Sequence, residues 1–519
     1  MVRATLGWAG RALRSLLLAL LLVGAGTWLH YLWTGPEPKP WHRARLDAEF
    51  AAGDYTSGRI VTLAQYRERE RRLQEQVRAE VYERVDAADR LPFNRYSAGS
   101  HSDPGVWDVD WNQTWELVPS GKPVGGVLLL HGLTDSPYSL RSIGQFLAAR
   151  GYHVVGLRLP GHGTAPAGLL RVEVEDLEAA TRLAVRDLRA RLGPDEPIVL
   201  VGYSNGAALA VGYALDARDD ASLPRPARLV LISPAIGVTR LAVLGRIRTG
   251  LSDLPGFGRA AWQLIEPEVD PYKYQSFPFH AAGVTQRLTS TLSRRIARLA
   301  QDGPVRGLPP VLAFVSTVDA TVHADAVVDS LLARLVPAGH ELVLFDVNRL
   351  AVVQPLLVAD PAPLTRRLVE QPQRPYALTL VTNASAGTLR VVERRWPALG
   401  TVPVERPVDA AWPRQVFSLS HVALPFPPDD PLYGYAAGRS SRHVQLGNVE
   451  VRGEIGVLRV PAWMLMRQRS NPFHDYLLAR VVQALGASEV TPVVSSVPAS
   501  TARTAAAQPA AAPASVALP

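Results

Sequence analysis

Short, mostly apolar runs recur at 126–130, 152–157, 197–201, 229–232, 311–315 and 341–347. Runs of this length and β-branched content are the pattern of strands buried on both faces of a parallel sheet. Ala207 to Leu215 is apolar and small, a helix packed closely on that sheet. The fold expected is α/β, with a mostly parallel central sheet flanked by helices. Trp107 to Val118 reads as the first sheet strands. Upstream, residues 57–87 place Leu73, Val77, Val81 and Val85 at four-residue spacing beside the charged stretch 67–72. That spacing predicts one helical stripe laid on the domain. Leu241 to Leu251 and Leu288 to Leu299 also carry apolar residues at helical spacing, with Arg246, Arg248, Arg294 and Arg295 among them. Residues 376–382 and 388–393 alternate instead, with turn residues 383–387 between them, and predict a hairpin.

The two ends behave differently. Residues 15–33 contain no formal charge and reach about 28 Å as a helix, enough to span a bilayer core. Arg3, Arg11 and Arg14 precede this run, and Trp28, Tyr31 and Trp33 close it. The charge asymmetry predicts a signal anchor with residues 1–14 in the cytoplasm and the body outside it. Val23-Gly24-Ala25 leaves open a cleaved signal peptide and a secreted protein. Residues 34–109 form an N-terminal extension, 110–486 the main domain, and 487–519 an Ala/Pro/Ser/Thr-rich tail with almost no charge, expected to be disordered.

Candidate chemistry sits where predicted strands end. Gly202-Tyr203-Ser204-Asn205-Gly206 spells G-x-S-x-G between a buried strand and a helix. A sharp strand-to-helix turn strains the serine backbone and leaves no room for side chains two residues to either side, so glycines flank it. The turn lifts the Ser204 hydroxyl above the sheet edge and sets the Asn205 amide at a helix N-terminus, where developing negative charge is stabilised. The strand at 126–130 runs into His131-Gly132-Leu133-Thr134-Asp135-Ser136-Pro137. Ser136 and Pro137 open a helix as N-cap and first-turn proline, and the loop can aim the Leu133 amide at the same oxyanion. His131 precedes the elbow and is expected to fix the loop. A further strand runs into Arg158-Leu159-Pro160-Gly161-His162-Gly163-Thr164, turn chemistry with a polar residue at the sheet's carboxyl edge.

With H-G-L-T-D-S-P, R-L-P-G-H-G-T and G-Y-S-N-G in this order, the chain resembles the α/β-hydrolase superfamily. The resemblance is to its bacterial carboxylesterase, monoacylglycerol-lipase and serine-aminopeptidase-like branch, over roughly residues 110 to 480. It implies a triad in the chain order nucleophile, acid, base. Asp319 ends the strand at 311–315, and Asp-Ala-Thr-Val matches the family's acid loop. Asp325 and Asp329 read as helix-surface residues and Asp346 as a rival acid. For the base, a strand-like alternation over 415–420 delivers His421 into a proline-rich loop. His323, His340, His443 and His474 are the other histidines after the acid. Acid and base then stand about a hundred residues apart, where compact members keep roughly 25 to 30. This implies an insertion, about 348–414, holding the hairpin near the site. Residues 238–308, mainly helical with Tyr272, Tyr274, Phe277 and Phe279, correspond to the family's lid. Those aromatics serve either as the lid's packing core or as an apolar acyl-binding wall.

Composition narrows the function further. The net charge of +8 comes from 55 basic residues of which three are lysine, spread along the chain without a basic stripe, so nucleic-acid binding is not expected. Cysteine is absent, excluding a thiol nucleophile or disulfide framework, and histidines lack ligand spacing, so neither metal nor cofactor is expected. The expected function is a membrane-anchored serine hydrolase acting on acylglycerol, lysolipid or small esters. The catalytic residues would be Ser204, Asp319 and His421, with the oxyanion on Leu133 and Asn205. A serine peptidase or acyltransferase, or a non-catalytic binding protein of this fold, stand as alternatives.

Overall fold

The computed structural model describes residues 34–237, 258–447 and 467–486 apart from 358, 359, 372, 415 and 439, with scattered positions between 15 and 26. Most of the apolar run 15–33, the tail 487–519 and the first part of the expected lid, 238–257, lie outside the described residues. Among those described, no helix is long and apolar enough to cross a membrane.

The strands are β1 (Trp115–Leu117), β2 (Gly125–Leu130), β3 (Tyr152–Leu157), β4 (Ile198–Tyr203), β5 (Arg228–Ile232), β6 (Trp262–Leu264), β7 (Phe277–Pro278), β8 (Val311–Ser316), β9 (Glu341–Phe345), β10 (Ala377–Asn383), β11 (Arg390–Trp396) and β12 (Val404–Ala411). The principal helices are α1 (Leu63–Glu80), α2 (Arg141–Ala148), α3 (Val174–Arg191), α4 (Asn205–Asp219), α5 (Phe279–Leu299), α6 (Ala324–Ser330), α7 (Ala362–Glu370) and α8 (His474–Leu485). Ten strands form one sheet in the order β1-β3-β2-β4-β5-β8-β9-β10-β11-β12. From β3 through β10 every neighbour pair is parallel, while β1 and the β10-β11-β12 edge are antiparallel.

Alternate residues of the central strands feed two cores. Leu128, Leu200, Leu229, Ala313 and Leu344 face α3, α4, α5 and α6, and Val127, Val201, Val230, Phe314 and Val343 face α2 and α8. Burial on both faces explains why these strands read as mostly apolar runs. Trp115 of β1 fills space left by two glycines. A Cβ on Gly156 would sit 2.2 Å from its ring and one on Gly144 2.4 Å.

Four expectations are corrected. The hairpin at 376–393 does not stand apart from the main sheet. Its first strand, β10, pairs parallel with β9, and β11 and β12 extend the same sheet outward. The stretch before His421 is loop rather than strand, and His421 opens a short 3-10 turn, His421–Ala423. Leu288 to Leu299 belongs to α5, whose Val284, Leu288, Leu292 and Ile296 join the core beside α3 and α4, so it is a layer helix and not lid. The first strands expected over 107–118 reduce to the three residues of β1.

The extension is built into the domain. The Thr62 hydroxyl caps α1, accepting from the Gln65 amide. Tyr66 of α1 enters the main core, and Leu73 and Val77 form a satellite cluster with Trp41, Val81 and Tyr96. Arg158, fully buried at the end of β3, is held by two carboxylates of the extension. Glu49 takes two of its nitrogens at 2.8 and 3.0 Å, and Glu70 takes Nε at 2.8 Å. Glu70 also accepts from the Thr114 hydroxyl (2.7 Å), and Glu49 from the Gly161 amide (2.8 Å). Burial pushes the Glu49 carboxyl up, but the Arg158 charge and these bonds outweigh it and hold it below the usual range.

Candidate active site

Ser204 joins β4 to α4 with φ 52° and ψ −114°, a left-handed backbone that a non-glycine residue adopts only under strain. The flanking glycines are required by close approach. A Cβ on Gly202 would lie 2.4 Å from Ala207 Cα, and one on Gly206 2.0 Å from the Leu130 carbonyl oxygen. The second contact matters for the chemistry, because it presses the start of α4 against the end of β2, where the His131-Gly132-Leu133 loop begins. The elbow is pinned on its other side. The Ser204 amide donates to the Ile232 carbonyl (2.9 Å), and the Ser204 carbonyl accepts from the Ala235 amide (3.0 Å).

The loop carrying Leu133 is fixed by buried groups. His131 bridges two loops, with Nδ1 at 2.9 Å from the Gly132 carbonyl and Nε2 accepting from the Leu159 amide at 3.0 Å. Burial, then the neighbouring His162, hold its pKa far below the ordinary value, so it stays neutral. This is the loop-fixing role expected of it. The carbonyl of Thr134 accepts from the Tyr274 amide (2.8 Å), tying the loop to the segment after β6. Pro137–Leu140 forms the expected turn with Ser136 at its N-cap and leads into α2. Among the described residues, neither the Leu133 nor the Asn205 amide donates to another group of the protein. Both are available to an oxyanion.

Asp319 follows β8. One carboxylate oxygen accepts from the Thr321 and Val322 amides, both at 2.8 Å, and the other lies 2.8 Å from His421 Nδ1. Burial raises the Asp319 pKa, but the His421 hydrogen bond and charge, with the two amides, lower it below the usual range. An anionic carboxylate on Nδ1 fixes the ring and leaves Nε2 as its proton acceptor. His421 also meets the elbow: its ring lies 5.4 Å from that of Tyr203, whose hydroxyl donates to the His421 carbonyl at 3.4 Å.

The long separation of acid and base closes on itself. Just past β9, Asn348 donates from its amide to the Phe417 carbonyl (2.7 Å) and from Nδ2 to the Val416 carbonyl (3.2 Å). The chain therefore leaves this loop at 348, builds three strands and returns to the same place before His421.

The rival residues have other partners. Asp346 is taken by Arg349 and by the Thr382 hydroxyl (2.8 Å), Asp325 and Asp329 face Arg367, and His340 accepts from the Val311 amide (3.1 Å). His443 lies against Trp107, and His474 is buried at the start of α8. Tyr272 and Tyr274 pack on the main domain. Tyr272 stacks on Tyr138 at 4.2 Å, and the Tyr274 hydroxyl accepts from the Thr164 amide.

Residues 121–341 match the family described as Serine aminopeptidase, S33. Over 198 residues the chain is 28% identical to the thermostable monoacylglycerol lipase of Bacillus sp. (strain H-257), covering 38% of this chain and 71% of that enzyme. Over this part the chain is similar to serine hydrolases of the α/β-hydrolase superfamily. It is also similar to the solved monoacylglycerol lipase of Paleococcus ferrophilus, at 18% identity over 45% of this chain and 87% of that one, with a TM-score of 0.34. A metagenome-derived lipolytic enzyme gives 22% identity over 46% and 88% of the two chains, with the same TM-score. The family match holds the 131–137 loop, the Ser204 elbow and Asp319, and ends at Glu341. The extension, the three edge strands and His421 lie outside it.

Residues that act together without a shared motif were not visible in the sequence. Arg158 stands inside R-L-P-G-H-G-T, but its partners Glu49 and Glu70 are 109 and 88 positions away. Lys273, Arg467 and Arg469 come from two distant segments to line one cavity with Val422, the residue after His421. The Asn205 side chain is buried, and neither its oxygen nor its nitrogen has a hydrogen-bond partner among the described residues.

Proposed function

We propose that the protein is an esterase that hydrolyses acylglycerol, lysolipid or small carboxylic esters through Ser204, His421 and Asp319. The supporting observation is the buried His421–Asp319 hydrogen bond at 2.8 Å beside the strained Ser204 elbow. Ser204 Oγ attacks the ester carbonyl as His421 Nε2 takes its proton, and the Leu133 and Asn205 amides receive the oxyanion. The alcohol leaves with the proton from His421. Water then attacks the acyl-enzyme, gives its proton to His421 and releases the acid. Residues 258–278, tied to the oxyanion loop through Tyr274, form a cap over the site. Residues 15–33 anchor the protein in the cytoplasmic membrane with this site on the far side, which brings it close to lipid esters.

The test is turnover of a monoacylglycerol and 4-nitrophenyl ester panel of graded acyl length. Ser204→Ala is expected to lose activity on the order of a millionfold, His421→Ala comparably, and Asp319→Asn less, because it misorients the imidazole without removing it. Turnover retained in folded Ser204→Ala refutes the assignment. The family description favours one second reading, an aminopeptidase using the same acyl chemistry. Aminoacyl 4-nitroanilides turned over faster than esters would establish it instead. Reporter fusions at the C-terminus test the orientation, and signal from a cytoplasm-active reporter alone contradicts it.

A further inference from the structure

Beside the turn that carries the catalytic histidine lies a cavity of about 70 Å³ lined by Lys273, Gln275, Val422, Phe426, Tyr433, Arg467 and Arg469. Three links fix its position relative to the reaction. Val422 follows His421 directly. The Ser420 hydroxyl, on the other side of His421, donates to the carbonyl of Gln468, which stands between the two arginines. Lys273 lies 3.3 Å from Asp135 of the oxyanion loop, and a Cβ on Gly132 would lie 3.2 Å from that same carboxylate. The cavity therefore borders both the turn that carries His421 and the loop that carries Leu133.

Its lining carries three basic side chains. Lys273 is paired with Asp135, and Arg469 stands 4.0 Å from Asp270. Asp270 already accepts from the Tyr433 hydroxyl at 2.8 Å and from the Tyr272 and Lys273 amides at 3.0 and 3.1 Å. Arg467 is exposed and, among the described residues, is a cation that no carboxylate pairs with. Burial moreover pushes the Asp135 carboxyl up to about 6 despite Lys273, so the balance becomes more positive toward acid pH. Val422, Phe426 and Tyr433 supply apolar walls, which strengthen an ionic contact by excluding water. Lys273 Nζ also lies 5.9 Å from the Phe426 ring centre and 6.0 Å from that of Tyr433. The volume suits a carboxylate or phosphate head and is too small for an acyl chain.

Resting on the esterase reading above, we propose that the substrate carries an anionic group, a carboxylate or a phosphate, close to its scissile ester. The group is bound by Lys273, Arg467 and Arg469. The anion is held while the neutral ester carbonyl faces Ser204 and the two amides, so charge fixes which ester is productive. Arginine's fork matches both head groups, and its charge-assisted bonds supply the discrimination.

The test compares kcat/KM for matched anionic and neutral esters in the full-length protein. One arm uses 4-nitrophenyl hemisuccinate against 4-nitrophenyl butyrate. A second arm uses a lysophosphatidate against the monoacylglycerol of the same chain, which separates a lipid phosphate from a soluble carboxylate. The wild type is expected to prefer the anionic ester in at least one arm. Arg467→Gln is expected to reduce that ratio about tenfold, the loss of one charge-assisted bond. Arg467→Glu is expected to invert it in favour of the 4-nitrophenyl ester of 4-(trimethylammonio)butyrate. Raised salt should reduce the preference as well. A ratio that is unchanged in both variants, or a wild-type preference for the neutral ester in both arms, overturns the proposal while leaving the esterase reading intact. Turnover of none of these esters overturns the esterase reading and the subsite with it.

Discussion

Replacing Glu70 by alanine removes three interactions at once: Arg158 Nε at 2.8 Å, the Thr114 hydroxyl at 2.7 Å and the Thr114 amide at 3.3 Å. Glu70 and Arg158 are both buried. Deleting one partner of a buried ion pair costs about 3–5 kcal/mol, because the remaining charge is left without compensation. Here the lower end applies, about 3 kcal/mol, since Glu49 still grips Arg158 with two bonds. At roughly 2 °C per kcal/mol for a chain of this size, the melting temperature should fall by about 5 °C or somewhat more. Differential scanning calorimetry provides the measurement, with Arg84→Ala as the control. Arg84 pairs with Glu80 on the exposed face of the same segment, and such a pair contributes less than about 1 kcal/mol. The double variant Glu49→Ala/Glu70→Ala should lose more than the sum of the single losses, because Arg158 then has no carboxylate at all. If Glu70→Ala melts within a degree or so of the Arg84→Ala control, the extension is an appendage and the reasoning fails.

Gly206→Ala should abolish soluble, active protein, because its methyl would press within 2.0 Å of the Leu130 carbonyl. A folded, fully active variant contradicts the close packing of elbow and oxyanion loop. Glu268 is buried, and its pKa is pushed up to about 7 by that burial, against the opposing bonds from the Gln275 and Ser276 amides. The folded state thus keeps a proton that the unfolded chain releases. Stability is full below the ordinary carboxyl pKa and falls by about 3 kcal/mol as pH rises to about 7. Glu268→Gln should flatten that decline in urea titrations from pH 4.5 to 8, and curves parallel to the wild type refute it. Lys273→Met should leave Asp135 buried without its cation, raise its proton affinity further and weaken binding of the anionic esters. An unaltered KM for those esters contradicts the contact.

The parallel core was legible in the sequence because its strands are buried on both faces and are therefore apolar along most of their length, from Val127 to Leu344. Ser204 was legible for a different reason. The turn geometry demands glycines at 202 and 206, and few other structures do. The Asp319 loop carried its own signal, since Thr321 and Val322 supply the amides that hold the carboxylate. His421 was found by elimination, although the strand reading that supported it was wrong. What places it is the hydrogen-bonded closure between Asn348 and Phe417, a contact no local pattern encodes. The hairpin was recognised by its alternation, but alternation cannot say which strand it pairs with, and β10 joined β9 of the main sheet. Likewise, the helical period of Leu288 to Leu299 gave a helix without saying that its apolar face meets α3 and α4. The Glu49–Arg158–Glu70 clamp and the basic cluster beside Val422 depend on segments brought together only by the fold.

The most direct measurement of the central claim is covalent labelling of the full-length protein with a fluorophosphonate, followed by peptide mass spectrometry. The account predicts one adduct per chain, on the peptide containing Ser204, absent in Ser204→Ala and strongly slowed in His421→Ala. An adduct on another residue, or undiminished labelling of the folded Ser204→Ala protein, would contradict it.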